Sequence, residues 1–227
     1  MLAVLYDVHG NLPALEAVLA DARAAGADGF VLGGDYALFG PWPRETVDVL
    51  RELDVEWIRG NGERWTAHPA DAPADDVVQG AIAWCREQLG DPTVDELAAL
   101  PESLVTGGAR YVHASPVSDV QSFMPEHHDG DEDMLAGVLE PRLVFGHTHL
   151  PFRRICAGIE LVNPGSVGMP FDGDPRAAYA LISDDGELGH RRVEYDHEAT
   201  AAALRERAPA AFADTVAKRI AAARFDV

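Results

Sequence analysis

Three times within the first sixty residues, an apolar stretch of strand length runs straight into a short polar cluster. Leu2–Tyr6 ends in D-V-H-G-N, Phe30–Leu32 in G-G-D, and Val55–Ile58 in R-G-N-G-E. Unbroken apolar runs of this length suit strands covered on both faces. Between them, Leu12, Leu15, Val18, Leu19 and Ala22 recur at helical spacing, with Pro13 in the first turn and Gly26 as a stop. Thr46, Val47, Val49, Leu50 and Leu53 mark a second helix. Strand–helix alternation of this kind predicts a parallel sheet with crossover helices, hence an α/β class.

The pattern then changes. Residues 64–101 read as helical, with one stripe of Val77, Ile82, Ala83, Cys85 and Leu89 and a second of Val94, Leu97 and Leu100. This insertion either forms a partial lid over the polar clusters or covers a sheet edge. Strands resume at Ser103–Thr106 and Arg110–His113, a short helix is expected over Asp131–Leu139, and Arg142–Phe145 is a buried strand feeding G-H-T-H. Phe152–Cys156, Ile159–Val162, Ala178–Ile182 and Arg191–Tyr195 read as antiparallel strands separated by turn residues, and Glu198–Arg207 and Phe212–Arg224 as helices. With no repeat, low-complexity tract or linker, residues 1–227 read as one domain carrying a helical insertion at about 64–101.

In open α/β sheets, functional groups gather beyond the carboxyl ends of the strands. Asp7 and His9, Asp35, Asn61, His113, and His147 with His149 follow five such ends. The D-x-H spacing lets two side chains of one turn reach a common ion, and H-x-H puts two same-side imidazoles beside one cleft. Singly these signals are weak: Gly-Asp and Gly-Asn are ordinary turns, and a lone histidine is as a rule hydrogen-bonded structure. Together they supply ligands for two ions, and a metal pair about 3.5–4 Å apart is a device for displacement at phosphorus. Mixed carboxylate, imidazole and amide donors suit Mn, Fe, Zn, Ni or Co better than Mg or Ca.

Taken in order, the set resembles the calcineurin-like metallophosphoesterase superfamily, whose signature runs D-x-H, G-D, G-N-H-[DE], H, G-H-x-H. The stretches G-D-Y-A-L-F-G-P-W-P and N-P-G-S-V-G-M-P-F-D-G-D-P-R-A look like its small prokaryotic phosphodiesterase branch. The resemblance implies an α/β two-sheet sandwich flanked by helices and two divalent ions, manganese foremost. It implies that Asp7, His9 and His149 hold one ion, that Asn61, His113 and His147 hold the other, and that Asp35 bridges them. A hydroxide shared by the ions would attack the phosphorus of a small phosphoester, a diester more than a monoester. The third motif departs from the pattern: Gly60-Asn61-Gly62-Glu63 puts Gly62 where the family carries a histidine that is its usual phosphate contact and candidate donor of the leaving-group proton. On this reading Gly62→His should speed esters with poor leaving groups. Glu63 keeps the acidic position, and Asn11, Asn163 and Ser166 are candidates to support the ligands, against plain capping and turn roles. His127 and His128 are a substitute imidazole source or a solvated pair, and Arg64 a phosphate clamp or a surface residue. The missing histidine also leaves open a metal-binding scaffold or regulatory protein on the same fold. A metallo-β-lactamase-type centre does not fit, because H-x-H-x-D-H is absent.

Charge narrows the partners. Eighteen basic residues against thirty-eight acidic ones give a net charge of −20, which repels duplex nucleic acid and an anionic membrane alike. Self-association into a homo-oligomer is compatible with the chain. Two cysteines, Cys85 and Cys156, make no C-x-x-C pair and no disulfide framework. The apolar start lacks a basic leader and runs directly into a motif, so a reducing cytoplasm is the expected setting.

Overall fold

The computed structural model describes residues 1–53 and 55–227. Among these, the strands in chain order are β1 (Leu2–Leu5), β2 (Gly29–Leu32), β3 (Glu56–Trp57), β4 (Ser103–Thr106), β5 (Ala109–Val112), β6 (Arg142–Val144), β7 (Phe152–Cys156), β8 (Ile159–Asn163), β9 (Ala177–Ile182) and β10 (Leu188–Val193). The helices are α1 (Leu12–Ala24), α2 (Pro43–Arg51), α3 (Asn61–Ala67), α4 (Asp76–Leu89), α5 (Asp91–Ala98), α6 (Asp131–Met134), α7 (His197–Arg207) and α8 (Ala210–Ala222).

The strands form two five-stranded mixed sheets, ordered β10-β9-β1-β2-β3 and β4-β5-β6-β8-β7. β1, β2 and β3 are parallel, as the alternation predicts, and β5, β6 and β8 are parallel in the second sheet. Side-chain alternation along the strands builds three buried layers. Ala3 and Leu5 of β1 face α1 and the other helices, in a core that includes Leu15, Val18, Val47, Leu50, Phe212 and Val216. Val4 and Tyr6 face the second sheet, meeting Tyr111, Val144 and Val162. Leu143 and Phe145 point to the far side, where Phe123, Met134 and Leu135 cover them. Burial on both faces is why β1 and β6 read as unbroken apolar runs.

The structure bears out one expectation in finer form, the antiparallel pairing after residue 152, and corrects two. The four strands expected after residue 152 are two hairpins in different sheets: β7 pairs antiparallel with β8 in the second, and β9 with β10 in the first. β8 also lies parallel to β6. The helix expected over Asp131–Leu139 stops at Met134, and Gly137 follows at φ +81°. The last strand begins at Leu188, not Arg191, because Ser183 and Glu187 close a tight turn and pairing resumes at once. The helical stretch after Asn61 is α3, a 3-10 turn at Pro69–Asp71, α4 and α5. No described helix is long and apolar enough to cross a membrane.

Candidate metal centre

Backbone hydrogen bonding between β1 and β2 continues past the strand ends. Asp7 N–H donates to Gly34 O (3.1 Å), His9 N–H to Asp35 O (2.9 Å) and Gly10 N–H to Tyr36 O (2.8 Å). Within the second sheet Gly146 N–H donates to His113 O (2.7 Å), and across the sheets His147 N–H donates to Asp7 Oδ2 (3.0 Å). Four of the five polar clusters are thereby sewn into one rim, and Glu63, bonded to Gly60 N and Asp35 N, ties in the Asn61 cluster. Asp7, His9, Asp35, His147 and His149 all sit at positive φ, between 50° and 66°. Each such non-glycine residue is conformationally unfavourable, and residues of this kind concentrate where geometry serves a site.

Three imidazoles are oriented by carbonyls. His9 Nδ1 lies 2.9 Å from Leu38 O, His113 Nδ1 2.9 Å from Gly33 O, and His149 Nδ1 2.6 Å from Met169 O. A carbonyl only accepts, so each Nδ1 carries the proton and each Nε2 presents a lone pair. His9 Nε2 and His149 Nε2 then face each other at 3.0 Å. With both protons already placed on Nδ1, this pair is two converging donors to an ion and not a hydrogen bond. Asp7 Oδ1 is buried without a hydrogen-bond partner, 3.7 Å from His149 Nε2 and 4.0 Å from His113 Nε2. Asp35 Oδ2 lies 3.9 Å from His9 Nε2, and its Oδ1 3.4 Å from His113 Nε2. Asn61 Oδ1 lies 2.9 Å from both His113 Nε2 and His147 Nδ1. Turned over, the same amide would donate to both ring nitrogens and to Asp119 O; with its oxygen inward, three lone-pair atoms converge.

All seven predicted ligands therefore meet at one rim. Ligand atoms of Asp7, His9 and His149 lie within 4.8 Å of one another, as do those of Asp7, Asp35 and His113. An orphaned carboxylate oxygen and imidazole lone pairs pointing at one another fit cations: without them, the burial is uncompensated. Asp7 Oδ1 reaches toward both groups, so it stands beside Asp35 between them, a position the sequence did not suggest.

Burial dominates the protonation of the rim. It pushes Asp35 up to about 7 and Asp7 well above the carboxylate range, with the neighbouring Asp35 charge adding to the latter. Burial lowers His9 to about 4 and His147 to about 3, and lowers His113 and His149 as well. The imidazoles are neutral at any ordinary pH, whereas burial favours the protonated carboxylates, whose protons a bound cation would displace.

The supporting residues take distinct places. Glu63 is buried and accepts from Asp35 N (2.9 Å), Tyr36 N (2.8 Å) and Gly60 N (2.8 Å), tying the loops of Asp35 and Asn61 together. Burial raises its pKa to about 7, with the Asp35 charge adding. Asn163 Nδ2 donates to Gly146 O and Thr148 Oγ1, both at 2.9 Å, which braces the His147–His149 turn. Ser166 Oγ donates to Asp7 O (2.7 Å) and accepts from Met169 N (2.8 Å). Asn11 caps α1 through Ala14 N and also donates to Gly168 O (2.8 Å). Two candidates lie apart. His127 sits with Asp131 and Cys156 on the far side of the second sheet, and Arg64 is held by Asp119 at 2.6 and 2.7 Å. Sequence reasoning missed the orienting carbonyls, which carry no side-chain signal, and Phe171, stacked on His149 at 4.4 Å and 13°.

The rim opens into a cleft of about 1090 Å³, lined by His9, Asp35, Asn61, His147 and His149 at one end. This arrangement agrees with what the chain is similar to. Residues 1–186 match the calcineurin-like phosphoesterase superfamily domain. A metallophosphoesterase structure from Sphaerobacter thermophilus is 30% identical, superposes with a TM-score of 0.82, and covers 98% of this chain and 99% of its own. The protein MJ0912 of Methanocaldococcus jannaschii, uncharacterised, is 29% identical over 86% of this chain and 88% of its own. Phosphodiesterase YfcE of Escherichia coli K12 is 28% identical over 79% and 85%. By sequence, fold and the ligand-bearing rim, the chain belongs to the calcineurin-like phosphoesterase superfamily.

Proposed function

We propose that the protein hydrolyses a phosphodiester of a small molecule with the help of two divalent ions, manganese foremost. Asp7, His9 and His149 would hold one ion, Asn61, His113 and His147 the other, with Asp35 between them. The carrying observation is the convergence of proton-free ring nitrogens on the partnerless Asp7 Oδ1. Such ions supply Lewis acidity toward phosphoryl oxygen and water of lowered pKa. The chain's own contribution is position and charge. Leu38, Gly33 and Met169 carbonyls fix the imidazoles as neutral donors, and Glu63 holds the Asp35 and Asn61 loops in register. No imidazole stands at Gly62 to protonate a leaving group, so esters whose leaving groups depart unaided are favoured. Similarity to YfcE, a phosphodiesterase by name, supports the diester preference.

The test is turnover of activated diesters and monoesters by manganese-loaded protein. Activity on diesters that Asp35→Asn and His147→Ala each reduce by about 10²-fold or more is the expected result. Activity that survives both substitutions comes from a contaminant. Manganese binding without turnover of any ester favours the scaffold alternative and ends the enzyme reading.

A further inference from the structure

Beyond the ligands, the cleft is apolar and aromatic. Phe39, Trp65, Val78, Met124, Phe171 and Phe225 line it. Three large apolar side chains that stand exposed in the described structure, Val120 (43%), Met124 (37%) and Phe225 (59%), all border this one space. Patches of this kind on a soluble chain mark a binding surface. An aromatic run leads outward from a ligand: Phe171 stacks on His149, and Phe225 meets Phe171 edge-on at 5.5 Å. Arg219 closes the run. Its guanidinium lies 4.2 Å from the Phe225 ring centre, and its Nε–H donates to Phe225 O at 3.0 Å. The cleft's other guanidinium, Arg224, is paired with Asp226, whereas Arg219 has no carboxylate within salt-bridge distance among the described residues.

A phosphate alone needs neither a space of about 1090 Å³ nor a wall of aromatic rings. A flat ring does, because stacking rewards any π-face and is strengthened by a cation behind the platform. Given the proposed esterase reading, we infer that one ester arm of the substrate carries a flat aromatic ring of nucleobase size, seated against Phe225 and Phe171 while its phosphorus sits at the metal centre. Phe225 is the specificity-determining contact. Arg219 is a positioning residue that acts by holding the Phe225 ring and carbonyl.

Calorimetric titration of the manganese-loaded full chain tests this with two probes that have no P–O ester bond to break. One is the phosphonate analogue of adenosine 5′-monophosphate, with carbon replacing the 5′ ester oxygen; the other is the matching analogue of ribose 5-phosphate. The adenosine probe should bind about tenfold tighter or better. Phe225→Ala should remove that difference and leave the ribose probe unchanged; Phe225 is exposed, so the fold does not depend on it. Arg219→Ala should weaken only the adenosine probe, and Arg219→Lys should recover little, because a point charge does not reproduce the planar stack. Equal affinity of the two probes, or a difference that survives Phe225→Ala, overturns the inference. Discrimination by a protein that turns over no phosphoester would keep the subsite and reject the esterase reading; turnover without discrimination would do the reverse.

Discussion

Gly62 shows how little room one residue leaves. Its N–H donates to Asp35 Oδ1 at 2.7 Å, and a Cβ built there would lie 2.9 Å from that oxygen and 3.1 Å from Asp35 Cγ. A side chain at 62 therefore displaces a carboxylate placed between the two ligand groups before it can deliver a proton. The motif alone suggests that Gly62→His restores an acid; the geometry predicts the opposite. Manganese affinity should fall by about 10–100-fold, the usual cost of disturbing a ligand's support, and esters with poor leaving groups should gain nothing. Metal titration and paired kinetics on activated and unactivated esters check this, and faster turnover of unactivated esters alone would refute it. The ligands were legible because Asp, Asn and His at strand ends announce themselves. The Gly33, Leu38 and Met169 carbonyls that turn the rings were not, since every residue owns a carbonyl and only the fold selects one.

At the scale of elements, the loops between strands do as much holding as the strands. Asn11 joins three of them: Oδ1 accepts from Ala14 N at the start of α1, while Nδ2 donates to Gly168 O and to Tyr195 Oη at 3.1 Å. Losing the cap costs about 1 kcal/mol, and leaving the buried Gly168 carbonyl unpaired adds about 1–3 kcal/mol. Asn11→Ala should destabilise the fold by about 2–4 kcal/mol, and Asn11→Ser should recover only the cap, about 1 kcal/mol. Denaturant unfolding of both variants beside the unmodified protein separates the roles; an Asn11→Ser variant as stable as the unmodified protein would mean that the Gly168 and Tyr195 bonds contribute nothing. Helices α1, α2, α7 and α8 were legible from the sequence because one face of each joins the helix-side core and the other meets solvent. Pairing was not legible: β7–β8 and β9–β10 both read as strands separated by turn residues, and only long-range register sends them to different sheets. The helical insertion resolves in two directions. Trp65 and Val78 line the cleft, and Ile82 and Cys85 join the helix-side core.

For the molecule as a whole, the candidate metal centre would be a clasp at one edge of a sandwich. Asp7, His9 and Asp35 follow strands of the first sheet; His113, His147 and His149 follow strands of the second. Cations held there bind the folded chain and not the dispersed ligands, so they stabilise it by mass action. At a hundredfold excess over Kd the gain is about 2.7 kcal/mol, which for a chain of this size raises Tm by about 5–10 °C. The gain depends on pH in a definite direction. Asp35 rises in the metal-free fold from the ordinary 3.8 to about 7, so its neutral form stabilises that fold below the carboxylate range, and this contribution is lost as pH rises through about 7. A cation bound there would have to expel the same proton, so manganese should bind more weakly at pH 6 than at pH 8. The imidazoles do not blur this window. Lowered by burial, His9 to about 4 and His147 to about 3, they are neutral at both pH values when folded. Their unfolded counterparts take up protons below about 6.5, which lowers stability at acid pH with or without metal and cancels in the difference. Scanning calorimetry with manganese and with chelator should show a Tm gap that widens from pH 6 to pH 8, and Asp35→Asn should reduce the widening, leaving the part that belongs to Asp7. A gap independent of pH would mean that the clasp closes without displacing a carboxylate proton.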